Sequence, residues 1–198
     1  SQGKSTALRM AASIWGDQKG HFKSWRTTDN AAEGLAVFNN DSCLILDEVG
    51  EASAKALEVL AYMLANGSGK ARAGRDGQTR AVQTWRTTFL SSGEVTLSQK
   101  LAEGGLKARA GQEVRFAEII ADAGAGKGVF DDCKGMRPND FAMQIMESAE
   151  KYYGTAGPAF IKALMKIKEI NCIISEISNN FAKTVCEKDA DGQVLRVA

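Results

Sequence analysis

The chain has 198 residues, with 25 Lys and Arg against 24 Asp and Glu, and 44% of its residues are hydrophobic. That length allows one domain, or one with an appendage, and a charged fraction of 25% excludes disordered and collagen-like architectures. A net charge of +1 excludes a uniformly basic nucleic-acid coat, and no uncharged apolar stretch approaches the roughly 18 residues of a membrane span. From Thr6, strong helix formers predict a helix that stops at Gly16. Phe22 to Thr27 leans towards a strand, and Asp29 or Asn30 caps a short helix through Phe38. Cys43 to Leu46 is a continuous apolar run, as expected of a strand buried on both faces of a parallel sheet. Ala54 to Leu64 is helical by its 3–4 apolar spacing, and Asn66 to Arg80, rich in glycine and basic residues, is expected to be a loop or exposed hairpin. A strand is predicted over Trp85 to Leu90, a helix over Thr96 to Glu103 and a strand over Val114 to Ile120. Strands alternating with helices imply a three-layer α/β sheet.

Beyond Asn139 the composition changes. One helix is predicted from Asn139 to about Tyr153, broken by Gly154 to Gly157. A second, longer helix follows from Pro158, with Phe160, Leu164, Ile167, Ile170, Ile174, Ile177, Phe181 and Val185 on one stripe, as in a bundle helix. Asp189 to Gly192 is a turn signal before a strand that begins near Gln193. This divides the chain into a core over residues 1–135 and a helical extension over 136–198. Four cysteines stand far apart with no CxxC pair, which argues against a disulfide framework or zinc site and suits a reducing, cytoplasmic setting. The polar start, Ser1 to Thr6, has no signal-peptide core.

Two motifs carry chemistry together. Gly3-Lys4-Ser5-Thr6 opens a helix, where backbone amides, a lysine and a hydroxyl suit phosphates and Mg²⁺. The full pattern G-x-x-x-x-G-K-S/T asks for a further glycine before Ser1. Some 40 residues on, the apolar run ends in Asp47-Glu48. In P-loop ATPases a strand-end aspartate serves the Mg²⁺ shell, and a following glutamate would polarise the attacking water. Order and spacing therefore predict that Gly3, Lys4, Ser5 and Thr6 bind ATP, that Ser5 and Asp47 hold Mg²⁺, and that Glu48 is catalytic. Ser92 or Ser91, ending the next strand, is expected to sense the γ-phosphate.

Basic residues form two further groups. Lys70, Arg72, Arg75, Arg80 and Arg86, against the single acid Asp76, make a basic loop suited to a nucleic-acid backbone, to a neighbouring subunit or to solvent alone. Arg115 or Arg109 is a candidate to act in trans on a neighbouring subunit's nucleotide. His21 has no triad around it, and Trp15, Trp25 and Trp85 are spread out as packing residues.

The segments WRTTDN (25–30), LDEVGE (46–51), YMLANGSGKAR (62–72), WRTT (85–88), SSGE (91–94), AGQEVR (110–115) and YGTAG (153–157) together resemble the domain-of-unknown-function family nine-twenty-seven. That family comprises P-loop, helicase-like ATPase modules of bacterial phages, plasmids and genomic islands. The resemblance spans residues 1 to 160 and more loosely the C-terminal helices. It implies a P-loop NTPase core of RecA or AAA+ type whose first strand is missing here, and a bacterial, cytoplasmic ATPase that uses ATP and Mg²⁺. By analogy with replication helicases, it further implies a homo-oligomeric ring, such as a hexamer, acting on single- or double-stranded DNA. Two other readings stand beside it: an ATP-dependent switch or scaffold that moves no DNA, and a non-enzymatic DNA-binding module.

Overall fold

The structure is a computed structural model and describes residues 2–73, 81–107, 115–122 and 124–185. Three strands, β1 (Phe22–Ser24), β2 (Cys43–Asp47) and β3 (Thr88–Ser91), form a sheet in the order β1-β2-β3. Both pairings are parallel, with Phe22 opposite Ile45 and Cys43 opposite Thr88. Among the described residues β3 pairs with β2 alone.

Alternation along β2 sorts the layers. Leu44 and Leu46 point to one face and Ile45 to the other, and all three are buried. On the Ile45 face lies α1 (Lys4–Ser13), which contributes Leu8 and Ala12, while Arg9 stacks its guanidinium 4.5 Å over the Phe22 ring. On the opposite face the main core gathers Trp25, Leu44, Leu46, Leu57, Leu60, Leu64, Trp85 and Leu101. Its helices are α3 (Asp29–Phe38), α4 (Ala54–Asn66) and α5 (Leu97–Glu103). Helix, sheet and helix layers result, as the alternating pattern predicts.

Local chemistry sets the helix ends. Thr28, Ser53 and Thr96 cap α3, α4 and α5, and Thr96 with Gln99 completes a reciprocal capping box. Gly67 ends α4 at φ 70°, where a Cβ would sit 2.7 Å from the Trp85 carbonyl oxygen, so only glycine fits. A short helix, α2 (Gln18–His21), starts where Asp17 accepts the Gly20 amide at 2.7 Å.

The C-terminal part docks on α1. Helix α6 (Pro138–Lys151) packs along it, and the following turn caps it, since Gly154 and Gly157 donate to the Ser13 and Ile14 carbonyls at 2.8 and 2.9 Å. Trp15 lies over Gly157, where a Cβ would come within 2.5 Å of the indole. Helices α7 (Ala156–Leu164) and α8 (Ile170–Val185) follow, with Phe160, Met165, Ile174, Ile177 and Phe181 exposed.

Two expectations are corrected. The single helix from Pro158 to Val185 is two, because the chain turns over residues 165–169. The strand expected over Val114 to Ile120 is absent from its described part, residues 115–120. There Phe116 turns inward, 5.9 Å from Phe89 and 6.5 Å from Trp25, while Ile119 and Ile120 stay exposed, so one aromatic anchor replaces strand pairing. The turn at Asp189 to Gly192 and the strand near Gln193 lie outside the described residues.

Candidate functional site

A parallel sheet gathers the carboxyl ends of its strands on one edge, where ligands of open α/β folds bind. The register here pairs Ser24 with Asp47 and Leu46 with Ser91, so Asp47, Ser91 and Ser92 converge with the start of α1. The Ser5 hydroxyl donates to Asp47 Oδ1 at 3.3 Å, at the long end for such a bond. The buried Ser92 donates its hydroxyl to the same oxygen and accepts the Glu48 amide at 3.2 Å. Residues 5, 47, 48 and 92 are thus one constellation.

Gly3 precedes α1 at φ 76°, a conformation that favours glycine, and Ala7 donates to its carbonyl at 3.0 Å. Lys4 extends across the site. Its ammonium donates to the Gly93 carbonyl at 2.8 Å and pairs with Glu94 Oε1 at 2.9 Å. That contact holds the Glu94 carboxyl below the usual carboxylate range. Thr6 is buried beneath the first turn of α1.

Glu48 adopts φ 55°, an uncommon value for a residue with a side chain. Its Oε1 accepts the Gly50 amide at 3.2 Å, so the carboxylate caps the short 3₁₀ turn over Val49–Glu51. The neighbouring hydroxyl has another use: Ser91 accepts the buried Trp25 indole N–H at 2.7 Å. The serine pair is therefore divided, Ser92 towards Asp47 and Ser91 towards the core.

The basic loop is more committed than its sequence suggests. Arg72 forks onto Glu33, with its two terminal nitrogens 2.7 and 2.8 Å from the two carboxylate oxygens, and also donates to Asn30 Oδ1 at 2.7 Å. Glu33 is buried; the Lys70 amide adds a bond at 3.1 Å, and the Lys70 ammonium pairs with Asp29. Arg72 above all, helped by the Lys70 amide, holds Glu33 below the ordinary glutamate range against the opposing effect of burial. Lys70 and Arg72 thus tie the loop to the start of α3, Arg72 half-buried and Lys70 still exposed. Arg86, further along, pairs with Asp41 at 2.9 Å. Arg75, Arg80 and Arg109 lie outside the described residues. Arg115 is exposed and lines a cleft with the end of α4 and Trp85 to Phe89, so the structure does not bring it to Lys4 and Asp47.

A second glycine-rich segment touches the site and escaped the sequence reading. Asp122 accepts the amides of Gly124, Gly126 and Gly128 at 2.8, 3.1 and 3.2 Å. These bonds, that of Gly124 foremost, hold its carboxyl below the usual range. Val129 then donates to the Gln2 carbonyl at 2.9 Å. The legible signal was the glycine spacing at 124, 126 and 128 after an acid.

The oxygen donors of Ser5 and Asp47 suit a hard cation. One carboxylate and one hydroxyl fit Mg²⁺, which keeps waters and substrate phosphates in its shell. Among the described residues no cluster of three or more His, Cys, Asp or Glu forms a self-sufficient metal cage. No described helix is long and apolar enough to cross a membrane.

Comparisons with known proteins bear on the fold. A solved structure described as "SCCmec type IV Cch - active helicase" matches with a TM-score of 0.66 at 22% identity. The match covers 100% of this chain and 33% of that one, so this chain spans about a third of its length. No protein with a curated description matches the chain. The model of the domain of unknown function DUF927 matches residues 1–84, which hold α1, all of β1 and β2, and the Lys4, Ser5, Asp47 and Glu48 positions. Over residues 1–84, this chain is therefore similar to the DUF927 family of domains of unknown function.

Proposed function

We propose that the chain carries the ATP-hydrolysing motor module of a helicase or primase-helicase of a bacterial mobile element, working on DNA in the cytoplasm. The observation that carries this reading is the convergence of the Ser5 and Ser92 hydroxyls on one oxygen of Asp47, at the carboxyl edge of a parallel sheet. The helicase structure of similar fold, described under a mobile-element name, supports it. In this reading residues 1–135 form a P-loop core and 136–198 a helical extension.

The amides after Gly3 and the Lys4 ammonium would bind the β- and γ-phosphates, which requires Lys4 to exchange Glu94 for substrate oxygen. Thr6, buried in the first turn, would support the loop from below. Ser5 and Asp47 would hold Mg²⁺, which when bound would neutralise phosphate charge and orient the chain. Glu48, released from Gly50, would accept the proton of the attacking water. Ser92 joins Asp47 to the Glu48 amide and so would register the γ-phosphate at both. Arg115 would act on the nucleotide of a neighbouring copy in a ring such as a hexamer. DNA contact would fall to Lys70, Arg72, Arg75 and Arg80, with Lys70 and Arg72 exchanging Asp29 and Glu33 for phosphate.

The test is ATP hydrolysis by the intact protein with and without single- or double-stranded DNA. Stimulation by DNA is expected, and loss of turnover in Lys4→Ala. Glu48→Gln should retain nucleotide while slowing turnover by about 10²–10⁴-fold, the range for a general base. Hydrolysis indifferent to DNA would sink the motor reading, and unchanged turnover in Glu48→Gln would remove that residue from its role.

A further inference from the structure

The proposed site has a charged end and, on the other side of the same loop, an aromatic one. Lys4 and Ser5 reach towards Gly93, Glu94 and Asp47. Gly3 faces elsewhere: a Cβ placed on it would meet Phe130 Cε2 and Val129 Cγ2, each at 3.0 Å. The Phe130 ring is half-buried and braced edge-on by Phe141 of α6, with ring centroids 5.1 Å apart at 79°.

This contact is built, not incidental. Gly128 stands at φ 65°, and a Cβ there would sit 2.2 Å from the Gln2 carbonyl oxygen, so only glycine lets the two backbones meet. The Val129 amide ties them together, and Asp122 gathers the preceding glycine amides. Helix α6, which carries Phe141, packs on α1 itself. Segment 128–130 and the loop before α1 therefore keep a fixed relation.

A nucleotide likewise has two unlike ends, a polyanion and an aromatic base. With the terminal phosphates at Lys4 and Ser5, the nucleoside must leave the loop away from Asp47. We propose that Phe130, backed by Phe141 and held against Gly3, is the wall on which the nucleotide base stacks and thus determines preference for a nucleotide over bare polyphosphate. This rests on the ATP-binding reading of the site. Val129 closes the side nearest Gly3.

The experiment compares binding of ATP and of inorganic tripolyphosphate, each with Mg²⁺, by the intact protein in its Phe130→Leu and Phe130→Tyr forms. Leucine keeps apolar volume against Gly3 while removing the π face, and tyrosine keeps the ring. The Kd for ATP should rise about tenfold in Phe130→Leu, within the range of one base–aromatic stack, and stay near wild type in Phe130→Tyr. The Kd for tripolyphosphate should be unchanged in both. Equal weakening for both ligands would mean that Phe130 merely shapes the loop, and overturns the proposal. So would an unaltered ATP affinity in Phe130→Leu, or wild-type protein binding tripolyphosphate as tightly as ATP. Wild-type protein that binds neither ligand would remove the ATP-binding reading itself.

Discussion

Replacing Ser92 by alanine removes one oxygen that serves two partners. That hydroxyl donates to the Asp47 carboxylate and accepts the Glu48 amide at 3.2 Å, in a buried position. A hydrogen bond to a charged group contributes about 1.5–3 kcal/mol, and a backbone N–H left without a partner costs about 1–3 kcal/mol. Asp47 is only half-buried, so water replaces part of what is lost and the sum falls near the lower end, about 2 kcal/mol. For a chain of this length that corresponds to a fall in Tm of about 4–8 °C. Thermal unfolding of Ser92→Ala, Asp47→Asn and the double variant gives the coupling directly. A coupling of at least about 1 kcal/mol is expected for residues in one network. Effects additive to within about 0.5 kcal/mol would refute the shared-oxygen geometry and with it the assignment of Ser92 to the site.

Three further outcomes follow from contacts described above. Glu94→Gln removes the counter-ion of Lys4 and should tighten ATP binding by the intact protein, read as a lower Kd; an unchanged Kd would show that Glu94 does not compete for the ammonium. Glu33 has a depressed pKa in the folded chain, so its contribution to stability is fully present above the ordinary glutamate range and is lost as pH falls through the folded value. Glu33→Gln should therefore flatten the acid side of a Tm-against-pH curve while lowering Tm at neutral pH, and an unaltered acid limb would contradict the Arg72 pairing. Gly3→Ala places a side chain at φ 76° and against Val129 and Phe130 at 3.0 Å, so a loss of about 1–2 kcal/mol is expected by thermal unfolding. Wild-type stability would mean that the loop before α1 relaxes freely.

What the sequence disclosed depended on whether the determining interaction was local. The strand Cys43–Asp47 was legible because burial on both faces demands an unbroken apolar run. Helices α4 and α5 were legible to within about two residues, α4 through its 3–4 apolar spacing, which depends only on near neighbours in the chain. The convergence of Ser5 with Asp47 followed from motif order, because parallel topology brings the end of β2 to the start of α1. By contrast, the break between α7 and α8 falls in residues 165–169, which hold neither glycine nor proline, so the apolar period ran on uninterrupted. Val114 to Ile120 is rich in β-branched and aromatic residues, as a strand would be, yet Phe116 packs instead in the aromatic cluster with Phe89 and Trp25. The fork of Arg72 on Glu33 spans 39 positions, and nothing local marks it. The same holds for Val129 on Gln2 and Lys4 on Glu94, where each partner is set only by the folded layers.

The indole of Trp25 has one further consequence. Its ring belongs to the main core, and its N–H ends on Ser91, one residue from the hydroxyl that binds Asp47. Indole emission responds to what its N–H touches and to the polarity around the ring. The protein thus carries its own optical label, wired between its oily interior and the edge of its sheet. Any event that shifts the Ser91–Ser92 backbone will change the colour of light from a residue that solvent barely reaches.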